Sequence, residues 1–269
     1  MEKGIVKLPD GGGIPYVKIG AGSRRVVVLP GAGDGLTTVV QGAGRLDWFY
    51  ARRKRDFSLL VLSRRDPIPE GWSMAQHAVD MFFALDRLNW GPTLLECNSA
   101  GGPVGQQMAV LRPELIQGLV LSCTLHRAST ETREVLVKWI EMARQGKWRE
   151  LNWSSIEHTF RPQSVKMYRL ARPLLALMRA PCDPERLPRI LEALLTLDQR
   201  ALLPEIRCPT LVIGGEEDRV VPAEVQKEMA ALIPGAELKL YRGYGHGNDQ
   251  ENPDYELQVR RFAERIKIG

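Results

Sequence analysis

The 269-residue sequence lacks the cysteine patterns of zinc sites and disulfide frameworks. It has only four cysteines, Cys97, Cys123, Cys182 and Cys208, and no two of them form a Cys-x-x-Cys pair. Scattered cysteines of this kind argue against zinc, and in a reducing compartment they are expected to be buried thiols rather than disulfides. The sequence therefore predicts no bound metal.

Long hydrophobic runs are also missing. No stretch approaches the roughly 20 uninterrupted apolar residues that a membrane-spanning helix needs. The first residues, Met1–Lys7, lack the apolar centre of a signal peptide. We therefore expect a cytoplasmic protein that does not interact with membranes.

Motifs for binding nucleic acids are absent as well, although the net charge is +5. Basic and acidic residues are mostly interspersed, and the one longer basic run, Arg52–Arg55, lies where an exposed helix end is expected. We therefore expect no nucleic-acid partner and a small molecule as the substrate. The sequence does not determine the oligomeric state.

A serine between an apolar run and a helical pattern is the most informative feature that is present. Thr93–Leu95 has the character of a buried strand, Ser99 follows it closely, and apolar residues then recur at helical spacing over 104–111. The chain is therefore expected to run from strand to sharp turn to helix, with Ser99 at the bend.

The neighbours of Ser99 are small, as such a turn requires. Cys97 stands two positions before it and Gly101 two positions after it. The amide of Ala100, at the start of the helix, favours an oxyanion beside the serine oxygen. This pattern resembles the nucleophile elbow of the α/β-hydrolase superfamily, Gly-x-Ser-x-Gly, with Cys97 in place of the first glycine. Taken alone, the motif is equally compatible with a structural turn.

The rest of the chain alternates strand and helix patterns. This rhythm predicts an α/β fold, with a mostly parallel sheet covered by helices on both faces. The Gly-rich segment 10–13 between the first two runs predicts a hairpin. The predicted strands are Ile5–Leu8, Ile14–Ile19, Val26–Leu29, Phe57–Leu62, Thr93–Leu95, Leu115–Leu121, Cys208–Gly214 and Ala236–Tyr241. The predicted helices between and after them are Thr38–Arg52, Ser73–Leu88, Ala223–Leu232 and Asn252–Ile266.

The alternation stops between residues 126 and 203, where three helices are predicted, Val135–Arg144, Gln163–Met178 and Pro184–Leu197. A helical excursion after the sixth strand resembles the cap subdomain of many α/β hydrolases. By this resemblance, residues 1–125 and 204–269 form the hydrolase core and 126–203 the cap. The excess of basic residues in the cap either favours anionic substrates or lies on a solvated outer face. Its aromatic residues pack the cap or line an apolar pocket over the serine.

A glycine-rich loop, Pro30–Gly35, follows the third strand. Its spacing matches neither the dinucleotide motif Gly-x-Gly-x-x-Gly nor a phosphate-binding P-loop. It resembles the His-Gly-x-Gly turn of α/β hydrolases, which implies that the backbone N–H of Ala32 is a second oxyanion donor. Gly31 and Gly33 would let the backbone approach a substrate closely. The alternative is a flexible connection.

The superfamily places an acid and then a histidine after the serine in the chain. Asp218, in Gly-x-x-Asp-x-x-Val-Pro, and His246, in a Gly-His loop, occupy these places and complete a Ser-His-Asp triad by this resemblance. Glu216 and Glu217 are the alternative acids. A further histidine, His126, at the entrance to the cap, is a candidate substrate contact.

The resemblance implies a serine hydrolase that cleaves carboxylic esters of small or medium acyl groups, without a cofactor or metal. Asn98 precedes the serine, as in the Gly-Asn-Ser-x-Gly elbow of meta-cleavage product hydrolases, so C–C bond hydrolysis is a second hypothesis. Against it, Gly247 follows His246 where that family usually has tryptophan. A third hypothesis is a ligand sensor that uses the hydrolase fold without turnover.

Overall fold

A single eight-stranded sheet organises the molecule. The computed structural model describes residues 1–170 and 180–266. The strands lie in the order β1-β2-β4-β3-β5-β6-β7-β8. Their bounds are β1 Glu2–Lys7, β2 Gly13–Ile19, β3 Arg24–Leu29, β4 Phe57–Leu62, β5 Thr93–Asn98, β6 Ile116–Ser122, β7 Thr210–Gly215 and β8 Glu237–Tyr241. Strands β3 to β8 pair in parallel, and β2 joins them antiparallel through β4.

The hairpin predicted at the N-terminus is confirmed. Strands β1 and β2 pair antiparallel, with Val6 opposite Ile14. Gly11, in the connecting turn, has φ of +89°, a conformation that favours glycine. This hairpin forms one edge of the sheet, and β8 forms the opposite edge.

Successive residues of each parallel strand contribute to two cores on opposite faces of the sheet. In β3, Val27 and Leu29 belong to one core, and Val26 and Val28 belong to the other. Each of these side chains is at least 96% buried. Because both faces are covered, the strands read as continuous apolar runs, and this is why they were predictable.

Helices cover both faces, and none in the described ranges is long and apolar enough to cross a membrane. Their bounds are α1 Ala43–Phe49, α2 Met74–Arg87, α3 Gly102–Leu111, α4 Thr130–Arg144, α5 Trp148–Thr159, α6 Pro162–Leu170, α7 Arg186–Leu195, α8 Ala223–Leu232, the short α9 Asn248–Glu251 and α10 Pro253–Arg265. Four of these, α4 to α7, lie between β6 and β7. The α/β architecture predicted from the sequence is therefore confirmed.

Some helix bounds differ from the sequence prediction. Helix α1 begins at Ala43 rather than Thr38, because Thr38 N–H bonds to the Gln41 side chain and Val39 N–H to the Ser63 hydroxyl. Helix α4 begins five residues before the predicted start, after a cap in which the side chain of Ser129 accepts a bond from the backbone.

Two further differences concern the segment between β6 and β7. Helix α5 was not predicted, because few of its side chains are buried and its apolar pattern is weak. The predicted helix Gln163–Met178 corresponds to α6 up to Leu170, and its remainder lies outside the described residues.

The segment 126–203, called the insertion below, is closed at its base. Arg127 and Asp198 form an isolated antiparallel bridge, and the Gln199 N–H donates to the His126 carbonyl at 2.8 Å. The chain therefore leaves the sheet and returns to it at nearly the same place.

A buried arginine connects the insertion to the loop after β3. Arg186 of α7 donates to the Asp34 carboxylate at 3.1 Å and to the Asp34 carbonyl at 3.0 Å. It also donates to the carbonyl oxygens of Arg64 at 2.9 Å and Arg65 at 2.6 Å. Arg186 is 4% exposed and Asp34 is 3% exposed, so this is a charge pair removed from water.

The cysteines form no disulfide in the part of the chain that the structure describes. Three of the thiols are buried, as expected. Cys182 is exposed, which differs from the expectation, because it lies at the start of the turn that leads into α7 rather than in a strand.

Candidate active site

Ser99 lies at a strained bend between β5 and α3. Its φ is +47°, in the left-handed region, and it begins a 3-10 turn that ends at Gly101. A Cβ atom at Gly101 would lie 2.4 Å from the carbonyl oxygen of Leu29, so only glycine fits there. The strand, turn and helix predicted around this serine are therefore present, and the bend presents Ser99 beyond the end of the strand.

The cysteine in place of the first elbow glycine is accommodated by a glycine in the following helix. Cys97 is fully buried, and a Cβ atom at Gly105 of α3 would lie 2.3 Å from its Sγ atom. Helix α3 can therefore pack against β5 because Gly105 leaves space for the larger neighbour.

The structure brings Ser99, His246 and Asp218 together. The Nε2 atom of His246 lies 2.9 Å from the Ser99 Oγ. Its Nδ1 atom lies 2.8 Å from Oδ2 and 3.0 Å from Oδ1 of Asp218. The three residues follow β5, β8 and β7, respectively. Because these strands are parallel, their carboxyl ends meet at one edge of the sheet.

Asp218 is fixed by its own loop. Its Oδ1 accepts the N–H groups of Val220 and Val221, both at 2.8 Å, and the residue is 7% exposed. The alternative acid Glu217 instead accepts the N–H of Gly243 at 3.0 Å and is exposed. Among the described residues, the carboxylate bonded to His246 is that of Asp218.

The electrostatics of His246 suit a base. Burial lowers the pKa of its imidazole, but the charge of Asp218 and the hydrogen bond to it outweigh burial, so the pKa is raised above the ordinary value of 6.5. With Nδ1 bonded to the carboxylate, the neutral ring presents the unprotonated Nε2 to the Ser99 hydroxyl.

Ala32 and Ala100 line the same small space as Ser99. Its volume is about 20 Å³, space for roughly one water molecule. The other lining residues are Leu125, Thr132, Leu136, Trp139, Leu191, Leu194, Val220 and Val221. None of these side chains is charged, so the basic residues of the insertion do not line this space. Most of these lining residues were not predicted from the sequence. The expectation that aromatic residues of the insertion line a pocket over the serine is met by Trp139.

The candidate substrate contacts are placed unequally. A Cβ atom at Gly31 would lie 3.1 Å from the Ser99 Cβ and 3.3 Å from the Asn98 Oδ1, so these residues are close together. At Gly33, by contrast, a Cβ atom would meet no described atom within 4 Å beyond those of its two chain neighbours. Close packing thus explains the first glycine of this loop and not the second.

His126 is not brought to the site. It is fully buried and does not line the space beside Ser99. Its Nε2 lies 3.6 Å from Glu228 Oε1 at the base of the insertion. Burial lowers the pKa of His126, although the Glu228 carboxylate opposes this. The sequence placed this histidine at the start of the insertion correctly, but its ring lies beside Glu228 and not in the lining of the space beside Ser99.

The described ranges contain no group of three or more His, Cys, Asp or Glu side chains arranged to hold a metal ion. Residues 26–257, most of the chain, match the model of the alpha/beta hydrolase family. The chain is a member of the alpha/beta hydrolase family. The resemblance inferred from the elbow, the acid and the histidine is thus confirmed at the level of the family.

Relatives of this alpha/beta hydrolase include proteins provisionally named as the carbamate hydrolase RutD. The RutD of Stutzerimonas stutzeri (strain A1501) is 29% identical over 211 residues, which are 74% of this hydrolase and 76% of the relative. The RutD of Pseudomonas syringae pv. syringae (strain B728a) is 28% identical over 231 residues, 77% of this hydrolase and 84% of the relative.

Solved structures share the fold of this alpha/beta hydrolase. A hydrolase from Pseudomonas aeruginosa PA01 has a TM-score of 0.79 at 24% identity, covering 97% of both chains. A thermophilic esterase from Thermogutta terrifontis has a TM-score of 0.77 at 21% identity, covering 99% of both chains. An enol-lactonase from Burkholderia xenovorans LB400 has a TM-score of 0.78 at 19% identity, covering 95% of this hydrolase and 98% of the other chain.

Proposed function

We propose that the protein is a serine hydrolase that cleaves carboxylic esters of small acyl groups through an acyl-enzyme. The observation that carries this proposal is the continuous hydrogen-bonded chain from the Ser99 hydroxyl through His246 to Asp218, with distances of 2.9 and 2.8 Å. A serine hydroxyl is a weak nucleophile unless a base removes its proton during attack, and this chain provides the base and its orienting acid.

In the proposed reaction, the Ser99 oxygen attacks the ester carbonyl while His246 Nε2 takes the serine proton. Asp218 stabilises the imidazolium that forms. His246 then protonates the leaving alcohol as the C–O bond breaks, which leaves an acyl group on Ser99. A water molecule, deprotonated by His246, attacks the acyl-enzyme, and the proton returns to Ser99 as the acid leaves.

The developing negative charge on the carbonyl oxygen requires hydrogen-bond donors. We assign this role to the backbone N–H groups of Ala32 and Ala100, which belong to the two loops that line the space beside Ser99. A preorganised donor of this kind contributes about 3 to 4 kcal/mol to the transition state. Both donors are backbone groups, so they are preserved in most side-chain substitutions.

The lining of the space beside Ser99 supports a small, uncharged acyl group. It is apolar except for Thr132, whose hydroxyl already donates to the Val220 carbonyl at 2.8 Å. A charged acyl group buried there would have no partner, which is strongly unfavourable.

Carbamate hydrolysis is a second candidate. It is favoured by the relatives that bear the provisional name of a carbamate hydrolase. A carbamate has the same planar carbonyl geometry as an ester, so Ser99 would attack it with His246 and Asp218 in the same roles.

A fluorophosphonate probe tests whether the protein is an active serine hydrolase. We expect covalent labelling of Ser99, detected by mass spectrometry of the labelled peptide, and no labelling of Ser99→Ala. The same substitution should lower kcat for p-nitrophenyl acetate by roughly 10⁴-fold or more. An unlabelled wild-type protein would favour a ligand sensor instead.

A substrate panel separates the reaction classes. We expect kcat/KM for p-nitrophenyl acetate to exceed that for p-nitrophenyl octanoate, because the acyl space is small. An N-methylcarbamate with the same leaving group tests the second candidate. A dienoate ketone tests C–C bond hydrolysis, and preferential turnover of that ketone would contradict the ester assignment.

A further inference from the structure

The two proposed oxyanion donors are N–H groups of two peptide units. In each unit the carbonyl oxygen, on the opposite side from the N–H, accepts a hydrogen bond from a side chain. The N–H of Ala100 shares a peptide plane with the carbonyl of Ser99, and the N–H of Ala32 shares one with the carbonyl of Gly31. In a trans peptide the N–H and the C=O point in opposite directions. A donor bonded to the carbonyl therefore fixes the direction of the N–H and also polarises it.

Thr124 bonds to the first of these carbonyls. Its Oγ1 donates to the Ser99 carbonyl oxygen at 2.5 Å, and the Gly102 N–H donates to the same oxygen. Thr124 is fully buried, so its hydroxyl does not exchange this partner for bulk water. A Cβ atom at Gly102 would lie 2.0 Å from the Thr124 Oγ1, so glycine is needed for this contact.

Arg64 bonds to the second carbonyl and to the elbow. Its Nη1 donates to the carbonyls of Pro30 at 3.3 Å and Gly31 at 3.4 Å, and its Nη2 donates to the carbonyl of Ala100 at 2.7 Å. The Arg64 side chain is 95% buried. One planar group with several donors thus joins the loop after β3 to the elbow after β5.

We propose that Thr124 and Arg64 are positioning residues of the oxyanion hole. Thr124 orients the Ala100 N–H, and Arg64 sets the separation between the Ala32 peptide and the elbow. Neither side chain touches the substrate in this role. The inference rests on the proposed serine-hydrolase function and adds residues that the sequence motifs do not contain. A one-ångström displacement of such a donor is enough to weaken transition-state binding.

Substitution of Thr124 tests the first half of the proposal. Thr124→Val keeps the shape and removes the hydroxyl, and Thr124→Ser restores a hydroxyl. Active sites are counted by fluorophosphonate labelling, so that misfolded protein does not enter kcat. For p-nitrophenyl acetate we expect kcat per site to fall roughly 10-fold in Thr124→Val with KM within about twofold, and to recover in Thr124→Ser.

Arg64→Lys tests the second half. It keeps the positive charge near Asp34, but all its donors lie on one nitrogen, whereas Arg64 reaches the two loops from two separate nitrogens in a planar group. We expect kcat per site to fall several-fold, again without a matching rise in KM. The control is Arg189→Lys, because Arg189 also donates to a backbone carbonyl, that of Ile68 at 2.6 Å, away from Ser99. This control should keep the kcat of the wild type.

A transition-state analogue distinguishes positioning from general destabilisation. A trifluoromethyl ketone forms an oxyanion on Ser99, whereas the matching methyl ketone binds without one. We expect Thr124→Val and Arg64→Lys to weaken binding of the trifluoromethyl ketone by the same factor as kcat and to leave the methyl ketone unchanged. Unchanged kcat per site and unchanged analogue binding in both variants would overturn the proposal. Absence of Ser99 labelling in the wild type would instead refute the proposed hydrolase function, and these roles with it.

Discussion

His246 is bonded at both ring nitrogens, and in the proposed mechanism its protonation state decides whether Ser99 can be activated. The charge and hydrogen bond of Asp218 raise the pKa of the imidazole above 6.5 despite its burial. Only the neutral ring accepts the serine proton. Since a raised pKa extends the protonated form to higher pH, activity should appear on the alkaline side of the ordinary histidine range.

We therefore predict that kcat/KM for p-nitrophenyl acetate rises with pH through an apparent pKa above 6.5. Asp218→Asn removes the carboxylate that raises this pKa, so the rise of kcat/KM with pH should shift to lower pH. In the same variant kcat should fall by roughly 10⁴-fold. The control is Glu217→Gln, which changes a neighbouring exposed carboxylate and should leave the profile unchanged. An apparent pKa below 6.5 in the kcat/KM profile of the wild type would contradict this account.

At the residue scale, motif and order were sufficient to find Ser99, Asp218 and His246, which the structure brings together. They were not sufficient for Thr124 and Arg64, since a threonine after a strand and an arginine in a loop have no distinctive pattern. One feature of the sequence pointed to Thr124. Gly101 is part of the elbow motif, but the motif does not require the next residue, Gly102, to be glycine. A glycine without a conformational reason indicates close approach of another group.

At the element scale, two helices of the insertion close the space over Ser99. Helix α4 contributes Leu136 and Trp139, and α7 contributes Leu191 and Leu194. The Trp139 indole is fixed by a bond from Nε1 to the Ser154 Oγ at 3.1 Å on α5. The size of the space proposed for the acyl group is therefore set by side chains of the insertion as well as by residues at the ends of the strands.

We predict that Trp139→Leu enlarges this space and changes the preferred acyl length. The ratio of kcat/KM for p-nitrophenyl octanoate to that for the acetate should rise about 10-fold, the scale on which a few methylenes discriminate in apolar pockets. Trp148→Leu, on α5 and outside the lining, is the matched control and should keep the wild-type ratio. An unchanged ratio in Trp139→Leu would show that this ring does not limit the acyl chain.

Sheet strands were easier to predict than the helices of the insertion. A strand buried on both faces is an unbroken apolar run, as in Val26–Leu29, whereas α5 buries only Leu151 and Ser154 and has little periodicity. Helix starts were missed where a side chain, such as that of Ser129, supplies the cap. Local apolar pattern therefore predicted the sheet and the helices α4 and α7 of the insertion, but it missed α5.

At the scale of the whole molecule, the insertion is joined to the sheet through the buried pair of Arg186 and Asp34. The guanidinium donates to the carboxylates of Asp34 and Asp66 and to several backbone carbonyls at once. Sequence reasoning could not anticipate this, because an arginine at the start of a helix usually faces solvent.

We predict that Arg186→Met lowers the free energy of unfolding by roughly 3 to 5 kcal/mol, since it leaves Asp34 with less compensation in a buried place. The measurement is urea denaturation followed by circular dichroism. Arg144→Met removes an exposed ion pair with Glu192 inside the insertion and should change stability by less than about 1 kcal/mol. Equal effects of the two substitutions would mean that burial of the Arg186 pair is unimportant.

The position of Arg186 also bears on how such enzymes can be recombined. The arginine is encoded with the insertion, while the acid that it neutralises is encoded with the sheet. A chimera that receives the insertion of another family member would leave Asp34 with Arg64, 3.6 Å away, in place of two arginines, unless the donor helix brings an arginine to the same point or the acid is replaced in the same step. Exchange of this segment is thus restricted to pairs of enzymes whose residues match at the contact between the insertion and the loops after β3 and β4.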